Sequence, residues 1–215
     1  MCISGLEAGI SGCCVLAGGL RPSPLSQAAA RSALDLGVTE SRTLLDALLD
    51  RLGASGATAG RPVFVLGGHS CPRPLCERPG VRVVLELDAF RGPAGAIRDA
   101  VASHALRGPV LVLEANRHYA GSFAALAGHH GSTGASVTVA ATHDGRPAGA
   151  YVIESSALRH VPSRGFMDLK EQMLGRLLER GERIAVHKAP PEWTRPVRTL
   201  TDLLAAARAE RALHE

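Results

Sequence analysis

The sequence predicts a three-layer α/β fold, in which a mostly parallel β-sheet lies between two layers of helices. The first observation is that short apolar segments of strand length alternate with longer amphipathic segments along nearly the whole chain. The second is that Gly- and Pro-rich stretches, such as residues 54–60 and 70–80, separate these segments. Because 215 residues suit one domain with one large core, residues 1–215 are predicted to form a single domain.

The elements follow from periodicity and from signals at their ends. The leucines of residues 43–52 recur at helical spacing, and Thr199 and Asp202 have the spacing of a capping box. The predicted strands are Cys13–Ala17, Pro62–Leu66, Val81–Leu85, Val110–Glu114, Ser136–Ala141, Gly149–Ile153 and Ile184–Val186. The predicted helices are Thr43–Leu52, Ala94–Ala105, Gly121–His130, Met167–Arg180 and Leu200–Ala212.

Composition limits the class of protein. Hydrophobic residues make up 46% of the chain and charged residues 20%, as in a globular protein, and no apolar run has membrane-spanning length. The net charge of +4 is spread along the chain without a basic cluster, so no nucleic-acid partner is expected. The first residues carry no early basic cluster, so no secretory signal is expected and a cytoplasmic location is predicted.

Five cysteines argue against a disulfide framework. Cys13 and Cys14 fall in the first predicted strand and are interpreted as small buried hydrophobes. His69, Cys71 and Cys76 lie close together in a Pro-rich loop, which raises the alternative of zinc. Their spacing is irregular and no second pair of ligands is evident, so ordinary loop cysteines are the favoured interpretation.

Four further histidines and the single tryptophan have simple structural interpretations. His129 and His130 end a predicted helix, where facing solvent or the helix dipole is favoured over metal binding. His118 and His143 are predicted in loops without an identified partner. Trp193 is interpreted as a packing residue beneath the C-terminal helix.

Gly18 and Gly19 directly follow the first predicted strand. Paired glycines at a strand end allow the backbone to approach a ligand closely and to turn N–H groups towards a phosphate, although they also suit a simple tight turn. The strand and its glycines resemble the entry loop of the sugar-phosphate nucleotidyltransferases, which join a nucleoside triphosphate to a sugar 1-phosphate. Three later segments follow in the same order as in that family. Arg91–Ile97 is similar to its base-reading turn, and Pro109–Asn116 is similar to its metal-binding strand. Ala148–Ile153 and Glu192–Thr199 together are similar to a later strand of the family and its terminal Trp-containing segment.

The resemblance implies the family's fold, a nucleotide or nucleotide sugar as partner, and Mg²⁺ as the cofactor of an active enzyme. Asn116 aligns with the family's first metal ligand, and Glu114, two residues earlier, is a further candidate ligand. Arg21 and Arg31 are the candidate catalytic residues, which would hold phosphates in place of the family's lysines. The resemblance also leaves open whether the chain forms a homo-oligomer or a hetero-oligomer. The nucleotide-binding residues that it implies are Ala17, Gly18, Gly19, Gly92, Ala94 and Gly95.

The sequence departs from the family where the chemistry needs charge. Asn116 stands where the family has its first metal-binding aspartate, and Arg195 where it has the second. Pro93 replaces a threonine of the base-reading turn, and the entry-loop lysine aligns with Arg31 or Ser32. The Glu-Lys-Pro segment that holds the sugar phosphate is missing between residues 141 and 148.

Other residues offer a partial rescue of the chemistry. Glu114 shares a side of the strand with Asn116 by alternation, so it is a candidate Mg²⁺ ligand. Asp88 is a second stray carboxylate, and Arg117 is a further basic side chain for a phosphate.

Two functions therefore compete. The first is a nucleotidyltransferase that forms an NDP-sugar and pyrophosphate, with most catalytic positions lost. The second is a non-catalytic relative that binds a nucleotide or nucleotide sugar, or serves as a regulatory subunit. A different nucleotide-handling α/β protein that reuses the glycine loop is a third alternative. The charge of the residues around Gly18 discriminates between the first two.

Overall fold

A computed structural model of the chain describes residues 9–18, 23–30, 32–67, 78–85 and 91–213. Seven strands form one sheet in the order β3-β2-β1-β4-β7-β6-β8, and two short strands pair separately. All neighbouring strands of the large sheet are parallel except those that pair with β7. The strands are β1 (Gly12–Leu16), β2 (Val63–Gly67), β3 (Val81–Leu85), β4 (Pro109–Glu114), β5 (Arg117–Tyr119), β6 (Val137–Ala141), β7 (Pro147–Glu154), β8 (Ile184–Lys188) and β9 (Thr194–Pro196).

Helices cover both faces of the sheet. One apolar core packs the helices α2, α4 and α6 against one face, and a second packs α3 and the α5 region against the other. The α-helices are α1 (Pro24–Ala29), α2 (Leu44–Ala54), α3 (Gly92–Ser103), α4 (Phe123–Thr133), α5 (Leu174–Glu179) and α6 (Leu200–Ala212). A π-helical turn, Leu169–Met173, leads directly into α5.

The alternation of buried side chains explains the two cores. Cys13 and Val15 of β1 point into one core, and Cys14 between them points into the other. Capping boxes begin two helices, with Thr43 and Asp46 at α2 and with Thr199 and Asp202 at α6. The predicted three-layer fold with a mostly parallel sheet is confirmed, and so is the capping box of α6.

Several local expectations need correction. The predicted helix 167–180 begins only after Asp168 and opens with the π-helical turn. His118 lies in strand β5, not in a loop, because it pairs with Arg195 of β9. The structure describes no helix that is long and apolar enough to span a membrane.

Candidate functional site

The glycine loop leaves the sheet at the carboxyl end of β1. Ala17 donates its backbone N–H to the carbonyl oxygen of Leu66 at 2.8 Å, so that this donor belongs to the sheet. Gly18 comes next and is exposed. Gly19, Arg21 and Arg31 lie outside the described residues, as does Asp88. Any phosphate cradle built by this loop therefore begins at Gly18.

Glu114 lies at the same edge of the sheet, at the end of β4. It is the register partner of Leu16, and the backbone N–H of Ala115 is donated to the Leu16 carbonyl oxygen at 3.0 Å. The carboxyl ends of β1 and β4 are therefore adjacent, which is where open α/β sheets bind ligands. The sequence-predicted Glu114 ends one of these neighbouring strands, and Gly18 comes shortly after the other.

Lys170 forms an ion pair with Glu114. Its Nζ atom lies 2.6 Å from Glu114 Oε1, and the two side chains are 41% and 16% exposed, respectively. Lys170 is the second residue of the π-helical turn, whose first backbone N–H groups are capped by the side chain of Asp168. Sequence reasoning did not identify Lys170, and its only signal was that it is one of two lysines in an arginine-rich chain.

Two buried tyrosines fix the position of Glu114. The Tyr151 hydroxyl donates to Glu114 Oε1 at 3.3 Å, and the Tyr119 hydroxyl donates to the carbonyl oxygens of Gly149 and Glu114 at 2.6 and 3.2 Å. Burial, and then the negative charge of Glu114, raise the pKa of Tyr151 well above its ordinary value. Both hydroxyls therefore remain protonated donors at neutral pH.

Arg117 packs beneath this cluster. A Cβ atom on Gly149, which has φ +76°, would lie 2.2 Å from Arg117 Cδ and 3.1 Å from Glu114 Oε2, so only glycine fits there. Arg117 Nε donates to Thr194 Oγ1 at 3.2 Å. The buried stem of Arg117 thus connects the edge of the sheet to β9.

Asn116 and Arg195 stand at the family's two aspartate positions and are chain neighbours of Arg117 and Thr194, respectively. Asn116 is exposed in the turn after Glu114, and its carbonyl oxygen accepts the backbone N–H of Val197 at 2.9 Å. Because β4 ends at Glu114, strand alternation does not extend to Asn116 as expected from the sequence. Arg195 is ion-paired with Glu192 at 3.1 Å.

A segment that we call the strap, residues 162–167, crosses the start of α3. Arg91 donates to Pro162 and Gly165 carbonyl oxygens at 2.6 and 2.7 Å and forms an ion pair with Asp99 at 2.8 Å. The Met167 carbonyl oxygen accepts the Ala94 N–H at 3.2 Å. The strap therefore covers the turn that the resemblance assigns to base reading.

Gly92 and Gly95 of this turn have no room for a side chain. A Cβ on Gly92 would lie 2.6 Å from the Met167 carbonyl oxygen, and one on Gly95 would lie 2.8 Å from the Arg91 Cβ. Although partial burial opposes ionisation of Asp99, hydrogen bonds from Arg91 and Arg98 outweigh it and lower the pKa of this carboxyl. Asp99 therefore stays charged and holds Arg91 in place.

The described part of the chain offers few side chains that could bind a metal ion together. Within the described part of the chain, no group of three or more His, Cys, Asp or Glu side chains is arranged to hold a metal ion. Glu114 fits Mg²⁺ in the manner of sites that supply one carboxylate and take the remaining oxygens from phosphates and water. Cys13 and Cys14 are buried free thiols, as predicted, and burial raises the pKa of Cys14 to about 12. His69, Cys71 and Cys76 lie outside the described residues.

No family model and no curated protein matches this chain. Solved structures do match it over nearly the full length. An inositol-1-phosphate CTP transferase of T. maritima superimposes with a TM-score of 0.77 at 11% identity, over 97% of this chain and 98% of the other. A Bacillus anthracis protein assigned as a glucose-1-phosphate thymidylyltransferase, solved with sucrose, gives 0.73 at 13% identity over 93% and 95%.

HddC from Yersinia pseudotuberculosis gives a TM-score of 0.71 at 12% identity, over 93% of this chain and 99% of the other, and it was also solved with GMP-PN. At 11–13% identity, these similarities show that the folds are alike. The roles of the site residues have to be argued from their own contacts in this chain. The fold expected from the sequence resemblance is confirmed. This chain has the fold of the sugar-phosphate nucleotidyltransferases.

Proposed function

We propose that this chain binds a nucleotide or a nucleotide sugar at the carboxyl edge of its sheet, as a non-catalytic relative of the nucleotidyltransferases. The observation that carries the proposal is the Glu114–Lys170 ion pair beside the end of β1. It supplies a positioned ammonium group at the ligand-binding edge, and it neutralises Glu114, the carboxylate that a catalytic metal would use there.

Lys170 is suited to a phosphate because it is both positioned and accessible. Its ammonium group is held by one carboxylate oxygen at 2.6 Å, and 41% of its side chain remains exposed. An entering phosphate would replace Glu114 as the partner of Lys170, exchanging one charge-assisted contact for another. The N–H groups from Gly18 onward would supply further donors, with Gly19, Arg21 and Arg31 as additional candidates.

Base recognition at Gly92, Ala94 and Gly95 is part of the same proposal and requires a change at the strap. Pro93 has no N–H to donate, and the Ala94 N–H is already donated to Met167. A base would therefore have to displace the strap from this turn or be read by other groups. We expect discrimination among bases to be weaker than discrimination between phosphorylated and unphosphorylated ligands.

Nucleotidyl transfer is the second candidate, favoured by the position of Glu114 directly beside Leu16. Mg²⁺, when bound, would neutralise phosphate charge and orient the triphosphate. In that case Glu114 would hold the metal with the Asn116 side chain as a neutral companion, and Lys170 would turn towards the phosphates. Arg195 places positive charge at the second aspartate position, which suits anion binding better than metal binding.

Calorimetric titration with several nucleoside triphosphates and nucleotide sugars, with and without Mg²⁺, tests the proposal. The variant is Lys170→Met, and the matched control is Lys188→Met, which changes the chain's other lysine at the end of β8. We expect binding to weaken at least tenfold in the first variant and to remain unchanged in the second. Absence of binding by the unaltered protein, or equal binding by both variants, would contradict the proposal.

A pyrophosphate-release assay with sugar 1-phosphates separates the two candidates. Binding without turnover supports the non-catalytic relative. Metal-dependent release of pyrophosphate that Glu114→Gln abolishes would establish the second candidate instead.

A further inference from the structure

The histidines His129 and His187 come together on the opposite face of the sheet from Lys170. His129 lies on α4, His187 lies on β8, and their ring centroids are 5.2 Å apart with an interplanar angle of 55°. The register partner of His187 is Ala140, which belongs to the core beneath α4, so the His187 side chain leaves the strand on the α4 face. Their meeting is therefore set by the packing of α4 on the sheet.

We propose that His129 and His187 form a binding site for a divalent transition-metal ion such as Zn²⁺, Cu²⁺ or Ni²⁺. Imidazole nitrogen suits these metals, and each ring offers one ligand. With no third His, Cys, Asp or Glu side chain grouped with them in the described part of the chain, water would complete the coordination. This inference does not depend on the proposed nucleotide site.

The separation of the rings fits shared coordination. Two imidazoles whose nitrogens lie about 2.0 Å from one metal, at a tetrahedral angle, have ring centres about 5 Å apart. The observed separation is 5.2 Å, and the tilt of 55° is unlike that of parallel stacked rings. For coordination, one nitrogen of each ring would be aimed at a common point between the two rings.

The protonation state of His187 also suits a ligand. Burial, and then the charge of His129, lower the pKa of His187. The neutral imidazole, which is the form that binds metals, therefore predominates at neutral pH.

A bound metal would join α4 to the edge of the sheet. In the described sheet β8 is a terminal strand that pairs only with β6. Since a ligand that binds the folded chain alone stabilises it, metal addition should raise the melting temperature in a concentration-dependent manner.

Titration of the full chain with Zn²⁺, followed by calorimetry and by thermal unfolding, tests the site. His129→Gln and His187→Gln should each weaken the binding at least tenfold and remove the increase in melting temperature. His143→Gln, a change in the exposed turn between β6 and β7, is the matched control and should have no effect. With Cu²⁺, electron paramagnetic resonance should show two imidazole nitrogens in the unaltered protein and at most one in either variant.

Three results would overturn the proposal. They are the absence of metal binding by the unaltered protein, binding that neither substitution weakens, and dependence on only one of the two histidines. Binding that persists in both variants would assign the metal to other ligands, for which His69, Cys71 and Cys76 are the sequence candidates.

Discussion

Two acid–base pairs of this chain differ in what surrounds them. Glu114 and Lys170 meet at the carboxyl edge of the large sheet, where their side chains are 16% and 41% exposed. His118 and Glu210 meet between β5 and α6, 2.9 Å apart, where their side chains are only 2% and 4% exposed. The exposed pair can exchange partners with a ligand, whereas the buried pair has no solvent to replace a lost partner. The comparison predicts that the first pair serves binding and the second serves stability.

Removal of Glu210 should have the largest effect on the free energy of unfolding. Glu210→Ala leaves the buried imidazole N–H of His118 without its acceptor and removes packing at the end of α6, at a cost of roughly 3 kcal/mol. Urea denaturation measures the loss. Glu192→Ala removes an exposed ion pair with Arg195 and should cost less than about 0.5 kcal/mol. Equal effects of the two substitutions would break the distinction between buried and exposed pairs.

The second prediction concerns the glycine beneath the exposed pair. Gly149→Ala should cost about 2–3 kcal/mol, because its positive φ disfavours a side chain and its new Cβ would lie 2.2 Å from Arg117 Cδ. Gly145→Ala tests the conformational strain alone, since Gly145 has φ +81° with open space around it, and should cost about 1 kcal/mol. If denaturation gives the same loss for both, the contact with Arg117 does not constrain the site.

Glu114→Gln tests whether the exposed pair, Glu114 and Lys170, serves binding more than stability. The amide keeps an acceptor for the Tyr151 hydroxyl, so the free energy of unfolding should change by less than about 1 kcal/mol. The affinity of the metal-free protein for a nucleotide should rise several-fold, because Lys170 no longer has a competing carboxylate. Mg²⁺ should then have little influence on binding. Parallel calorimetry and denaturation measure both effects, and a stability loss as large as that of Glu210→Ala would contradict the assignment.

The difference between the two pairs also shows what the sequence can predict. Apolar runs such as Val110–Glu114 and the helical spacing of the leucines in residues 43–52 carry local periodicity, and these segments form β4 and α2 as expected. Glu114 was identifiable because it ends such a run. Lys170 follows it by 56 positions in the chain, and only the tertiary fold brings the two side chains together.

Other features that the sequence did not predict also depend on contacts between distant parts of the chain. The strands β5 and β9 are three residues long and contain buried polar side chains, so they show no apolar pattern. His130 was expected at a helix end, facing solvent or the helix dipole; it lies in the last turn of α4, but its side chain is buried and hydrogen-bonded to Thr138 and Glu154. The strap over α3 depends on hydrogen bonds from Arg91 to backbone carbonyls that lie more than 70 positions later. Contacts at that separation leave no periodic signal in the sequence.

The last prediction uses pH to measure the buried pair, and its effect should be the smallest. Burial is the main influence on His118 and lowers its pKa, aided by Arg195 and Arg51 and opposed by Glu210. As the pH falls below about 6.5, His118 takes up a proton more readily in the unfolded chain than in the folded chain. The free energy of unfolding should therefore decrease with falling pH until the pH lies below the lowered pKa of His118 in the folded chain. His118→Gln should flatten this part of the stability profile, whereas His143→Gln, at an exposed position, should leave it unchanged. A profile that His118→Gln does not alter would show that the titration of this buried histidine is not linked to folding, and the role of the pair would then rest on its packing and hydrogen bond alone.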